Sequence, residues 1–278
     1  MLNLSRRQTI AFAGAVAVLL AAPPAFSAPR SNLWPRWQAH NPSSSRRVDH
    51  SAWDGFLNQY RHVGSDGVAR VAYASGSGTG RQAINAYLDQ LAGTPVSDLS
   101  QPEQFSYWVN MYNALTVKTV LDHFPVASIR DIDISPGLFS NGPWGASLIT
   151  VEGVNLSLDD IEHRILRPIW QDPRIHYVVN CAAIGCPNLP ARALRPTTNE
   201  QTLGAAATAY VNDPRGVDVE SNGLTVSRIY DWFASDFGDL RQHLSRYAQG
   251  QRAQALANGT RIAGYRYDWA LNQIGGQG

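Results

Sequence analysis

Cys181 and Cys186 are the only cysteines of this 278-residue chain, with four residues between them in "RIHYVVNCAAIGCPNLP". Such a pair can staple a turn as a disulfide, supply a thiolate nucleophile, bind a metal, or lie as two buried thiols. A nucleophile needs a base and a group to orient that base. His163 precedes Cys181 by 18 positions and can serve as the base. Asn180, Asn110 and Asn113 carry amides of the kind that orients an imidazole in thiol triads. Zinc is the poorest match, because structural sites gather four ligands with cysteines spaced closely and in pairs, and no second pair exists here. No metal site and no cofactor are expected.

Glu162, next to His163, is the least ordinary carboxylate. In "SLDDIEHRILRPIW" the wheel places Leu158, Ile161, Ile165, Leu166 and Ile169 on a buried arc, and Glu162 falls inside it. A carboxylate there needs an ionic or hydrogen-bonding partner. That partner is either a structural arginine or a polar site that Glu162 and His163 help to build. Ser157 and Asp160 have capping-box spacing at the start of this helix, and Pro168 ends or bends it.

These residues must be positioned by the elements around them. "SQPEQFSYWVNMYNALTVKTVLDHFP" is the longest helical signal, with Ser100 to cap it, Pro102 in its first turn and Pro125 to stop it. It is apolar nearly all round and so belongs inside a domain. Asn110 and Asn113, one turn apart on it, require partners in a neighbouring backbone or in a site. "RIHYVVNCA" reads as a buried strand with Tyr177, Val179 and Cys181 on one face and His176, Val178 and Asn180 on the other. His176 is then badly placed for Cys181, and Cys186, on a Gly-Cys-Pro turn, is the more exposed thiol.

"SAWDGFLNQYRHV" and "GRQAINAYLDQLAG" read as helices, and "SLITVEGVNLSL" and "GVDVESNGLTVS" as hairpins. "EQTLGAAATAYVND" and "RIYDWFASDFGDLRQHLSRYAQ" are also helical, the latter with Asp231 and Asp236 among aromatics. "GTRIAGYRYDWALN" reads as a closing strand with Tyr265 and Tyr267 on one face. Helices crowd the first half and hairpins the second, without β-α alternation. The expected class is α+β: one domain, residues 49–278, around a buried central helix with a small mixed or antiparallel sheet.

Residues 28–48 read as an extended leader resting on the domain through Trp34 and Trp37. Before them, Arg6 and Arg7 precede an apolar run from Ile10 to Ala22, the pattern of an export signal of twin-arginine type, residues 1–27. The run is shorter than the roughly 20 residues a membrane span needs. Its removal turns the formal charge from +1 to −1. That balance offers no electrostatic footprint for nucleic acid. The expectation is a periplasmic or secreted protein with no membrane span in its mature chain and a small molecule or peptide as partner. In an oxidising compartment a disulfide is the natural state of two neighbouring cysteines.

In this order, "FSYWVNMYNALTVKTVL", "FPVASIRDI", "SLDDIEHRIL", "DPRIHYVVNCAAIGCPNL", "SRIYDWFASDFG" and "YRYDWALN" resemble the domain-of-unknown-function family 547, from about Trp53 to Asn272. The resemblance implies no activity, substrate or cofactor. It places Glu162-His163 and Cys186-Pro187 among the family's characteristic words. Many members carry Lys or Ser where this chain has Ala183, Ile184 and Gly185, and some animal relatives join the domain to a glutaredoxin-like segment. Two functions are consistent with all of this. One is a thiol-dependent hydrolase or acyltransferase, loosely like papain or transglutaminase. The other is a non-catalytic ligand- or peptide-binding protein with a Cys181–Cys186 disulfide.

Overall fold

The computed structural model describes residues 29–137 and 142–275. The expected export signal lies outside the described residues. The fold is α+β and helix-rich, with two two-stranded hairpins and one three-stranded sheet among the described residues. Its axis is the helix Gln101–His123, buried on every side from Glu103 to Val117 and again at Thr119–Leu121. Pro102 occupies its first turn, where a missing N–H costs nothing, and Phe124 before Pro125 is extended and ends it. Ser100 takes the N-cap position with extended backbone, but its side chain makes no capping bond; its carbonyl accepts from the Gln104 N–H.

Helix Thr79–Ala92 packs along this axis, and helix Ser51–Tyr60 packs on Thr79–Ala92 in turn. Helix Ser51–Tyr60 stops earlier than its sequence suggests, because Arg61–Val63 pairs antiparallel with Ala69–Val71. The leader lies on the core as expected. Trp37 is buried edge-on against Trp108, with ring centroids 5.2 Å apart, and Trp34 meets Trp37 at 6.1 Å.

Strands Ile149–Val151 and Val154–Leu156 form a hairpin with Val151 opposite Val154. Its two turn residues, Glu152 and Gly153, both have positive φ (46° and 76°), the geometry that matches strand twist across a two-residue loop. Glu152 is held in that unfavourable region by its side chain, which accepts from Ser97 N–H and Oγ at 2.9 and 2.7 Å. Strands Val217–Glu220, Gly223–Ser227 and Ile262–Arg266 make the mixed sheet, the first pair antiparallel and the second parallel.

Three expectations are corrected. Residues 173–177 are a 3-10 turn rather than a strand: Asp172 caps it by accepting from the Arg174 N–H, and Pro173 opens it. The helical run after Arg228 is broken into Ile229–Trp232, Ala234–Phe237 and Leu240–Ser245, with Gly238 at φ +61° between the last two. The closing strand ends at Arg266, so Tyr265 is exposed while Tyr267 turns inward. Among the described residues no helix is long and apolar enough to cross a membrane.

Candidate functional site

The segment that carries Glu162 and His163 is a π-helix, Asp160–Leu166. The expected box starts it: Ser157 N–H and Oγ donate to Asp160 Oδ2 at 3.0 and 2.9 Å, and Asp160 N–H donates back to Ser157 Oγ at 3.1 Å. Its wide turn is closed by Arg167 N–H donating to the Glu162 carbonyl. Pro168 does not stop the helix, which runs on as Arg167–Trp170, but it has no N–H to offer the His163 and Arg164 carbonyls. The leader supplies that donation instead: Asn32 N–H bonds His163 O and Trp34 N–H bonds Arg164 O, both at 2.9 Å. The Arg164 guanidinium then lies 4.0 Å above the Trp34 ring.

Glu162 and His163 are both buried, and both reach a network on the neighbouring elements. Glu162 Oε1 lies 3.6 Å from His176 Nδ1, and His176 Nε2 lies 2.8 Å from Asp236 Oδ2. Arg167 grips Asp236 with both arms, Nε at 2.6 Å and Nη2 at 2.9 Å. Its remaining nitrogen donates to the Pro29 carbonyl at 2.8 Å and to His163 Nδ1 at 3.0 Å. A guanidinium has only donors, so His163 Nδ1 accepts and its proton sits on Nε2, facing Asp159 Oδ1 at 3.5 Å. Phe233 stacks on the His176 ring at 4.0 Å.

Burial pushes the Glu162 carboxyl up, but the His163 and His176 imidazoles and the Tyr112 hydroxyl outweigh it and hold its pKa at about 2. Burial lowers His176, and its bonds to Asp236 and Glu162 reverse this, leaving it raised. Asp236 is raised by burial and lowered further by His176 and Arg167, to well below the usual carboxylate range. The buried carboxylate is therefore paired with histidine and tyrosine, not with the arginine that a structural ion pair would have used.

Cys181 and Cys186 form a disulfide. The loop between them is bound from several sides. Ile184 and Gly185 N–H donate to the Ala270 and Asp268 carbonyls at 2.8 Å, and Arg215 Nη1 donates to the Ile184 and Cys186 carbonyls. A Cβ at Gly185 would come within 2.7 Å of Asp268 backbone, so this close approach requires glycine. Tyr267, whose hydroxyl burial keeps protonated, stands 2.9 Å from Cys181 Sγ and 3.1 Å from Cys186 Sγ. Cys186 is buried and Cys181 half-exposed, the reverse of the expected order, because Tyr267 and Arg215 cover the Gly-Cys-Pro turn.

These groups meet at one cavity of about 290 Å³ where the two apolar clusters of the fold adjoin. Glu162, His163, His176, Cys181 and Cys186 line it together with Tyr112, Asp159 and a wall of Trp144, Phe233, Trp232, Tyr267 and Trp269. His176 thus shares the cavity with both sulfurs, contrary to its assignment to the opposite face of a strand. The three asparagines are elsewhere. Asn110 exchanges two bonds with Leu194 backbone, at 3.0 and 2.9 Å. Asn113 donates to Val178 O and accepts from Asn180 N–H, both at 2.8 Å, and Asn180 ties Pro187 O to Ala182 N–H. Asn113 and Asn180 clamp the chain around the cysteine loop and Asn110 the segment that follows it, and none of the three lines the cavity.

His176, Arg167, Asp236, Tyr112 and Tyr267 were missed as site residues. Asp172-Pro173, a cap followed by proline at the first position, was the signal that residues 173–177 form a turn. Asp236 and Tyr267 arrive from distant segments and carried no local signal. Among the described residues no group of three or more His, Cys, Asp or Glu side chains is placed to hold a metal ion.

Residues 96–211 match the family described as "Protein of unknown function, DUF547", so the chain carries a DUF547 domain over that span. The π-helix, the cysteine loop and all three asparagines fall within it, whereas Asp236 and the aromatic wall at Trp232, Tyr267 and Trp269 come from beyond its C-terminal limit. No curated protein and no solved structure matches the chain.

Proposed function

We propose that this protein is a binding protein whose Glu162–His163–His176 cavity takes a small organic ligand. The observation that carries the reading is the cavity itself. Six aromatic side chains and a buried, internally paired set of acids and bases converge on one space, near the lower limit of the ~300–1,000 Å³ usual for ligand pockets. The cysteines, joined to each other, form part of the wall. The arginine pair and apolar run at the N-terminus support export to the periplasm or beyond, where that disulfide persists.

The test is thermal unfolding against a panel of small amines, acids and neutral aromatics. Gly145 lines the cavity, and a side chain there would project toward Ser135 and Asp159. At least one class should raise the Tm of the parent and leave the Gly145→Leu variant unmoved. A panel without any such member overturns the reading.

A thiol-dependent hydrolase or acyltransferase is the second reading, supported by His163 and both sulfurs lining the same cavity. It requires the disulfide to be reduced. After reduction one thiol should then alkylate rapidly with iodoacetamide, and His163→Ala should slow it. Equal, slow alkylation of both sulfurs would remove the enzyme reading.

A further inference from the structure

We propose that the ligand of this cavity is an organic ammonium ion, an inference that rests on the binding reading above. The first support is the aromatic wall. Trp144 meets Trp269 edge-on at 5.8 Å, Trp269 meets Trp232 and Tyr267 at 5.5 and 4.7 Å, and Trp232 meets Tyr267 at 4.8 Å. Faces of such rings carry negative potential and attract a cation that has lost part of its water. The rings here already do so for the protein's own cations, with Arg130 5.3 Å from the Trp269 centroid and Arg167 4.9 Å from that of Phe233. Neither guanidinium lines the cavity, and among the described residues no Arg or Lys side chain does.

The second support is the balance of charge. The connected network holds three carboxylates, Asp159, Glu162 and Asp236, against the Arg167 guanidinium and the His176 imidazole. His163, whose Nδ1 accepts from Arg167, counts as neutral, so with His176 protonated the excess is one negative charge, and with it neutral the excess is larger. Asp159 is the carboxylate at the mouth: its side chain is 36% exposed, and its contact with His163 Nε2, at 3.5 Å, is long for a hydrogen bond. An anion entering here would meet carboxylates and ring faces together. An ammonium group is attracted by both, and the volume suits a head group the size of trimethylammonium.

The test is titration of the purified full chain by tryptophan fluorescence, since three tryptophans line the cavity. The probes are choline, its uncharged carbon isostere 3,3-dimethylbutan-1-ol, and benzoate. Choline should bind at least about tenfold more tightly than the isostere. Asp159→Asn should weaken choline about three- to tenfold and leave the isostere unchanged. This variant changes only a partly exposed side chain, and an unaltered Tm verifies its fold. Equal or tighter binding of the isostere or of benzoate overturns the ammonium assignment while the binding reading stands. Silence from all three probes, in a parent that also fails the thermal panel, overturns both.

Discussion

Asn113 and Glu162 sit on helices that pack together, the central helix and the π-helix, and both are almost fully buried. Asn113 spends its amide on backbone, joining Val178 O to Asn180 N–H. Glu162 meets other side chains, His176 and Tyr112, and these stand at a cavity wall. The difference in partners separates two uses of buried polarity. A neutral amide closed on main chain fixes a loop that cannot form its own regular hydrogen bonds. A chain of ionisable groups closed on one another holds charge where a ligand can meet it. Identical burial thus says little about role, and the type of partner says much.

The largest expected effect comes from opening the ionic chain. Asp236→Ala leaves the buried Arg167 guanidinium without its carboxylate and His176 with Glu162 alone, and should cost about 3–5 kcal/mol in urea unfolding at neutral pH. A cost no larger than that of a surface change would show the network to be incidental. Asn113→Ala orphans one buried carbonyl and one buried N–H and should cost about 2–4 kcal/mol by the same measurement. Its ligand response should equal the parent's, because Asn113 does not line the cavity. An altered response would erase the distinction drawn here.

Reducing the disulfide should cost less, about 2 kcal/mol, because the closed loop is short and is held independently by residues 268–272 and Arg215. Circular dichroism melts with and without reductant measure it. The finest test is the pH profile. Glu162, lowered from 4.5 to about 2, adds stability that is fully present above the unfolded value and is lost as pH falls through the folded one. His176, raised above 6.5, works in the opposite sense: its contribution is present below 6.5 and is lost as pH rises through the folded value. His50 and His243, lowered by burial to about 4, lose theirs as pH falls from 6.5 toward 4. Glu162→Gln should therefore flatten the profile between about pH 4.5 and 2, whereas the Asn113→Ala profile should run parallel to the parent's. Parallel profiles for both variants would mean that the carboxylate does not titrate in this window.

The central helix, the hairpins at 149–156 and 217–227 and the position of Glu162 inside an apolar arc were legible, because each is a local pattern in a continuous segment. The burial of His163 was not, since a π-turn changes the phase on which a helical wheel depends. The strand assigned to residues 174–182 failed for a different reason. Its β-branched and aromatic residues are common to any buried segment, and a side-chain cap at Asp172 overrode the alternation. Arg167, Asp236 and Tyr267 converge only after the chain has crossed from one cluster to the other, a juxtaposition that no window of sequence contains.

The π-turn also sets what kind of change the segment can absorb. A helix with one wide turn behaves as an α-helix holding one residue too many. Loss of a single position between 160 and 166 would let it close as an ordinary turn while the helix on either side keeps its phase. Arg167 would still face Asp236 and Pro29, whereas the same deletion in a regular α-turn would swing everything after it by about 100°. At this one turn the segment holds a spare residue, and elsewhere along it the count is fixed.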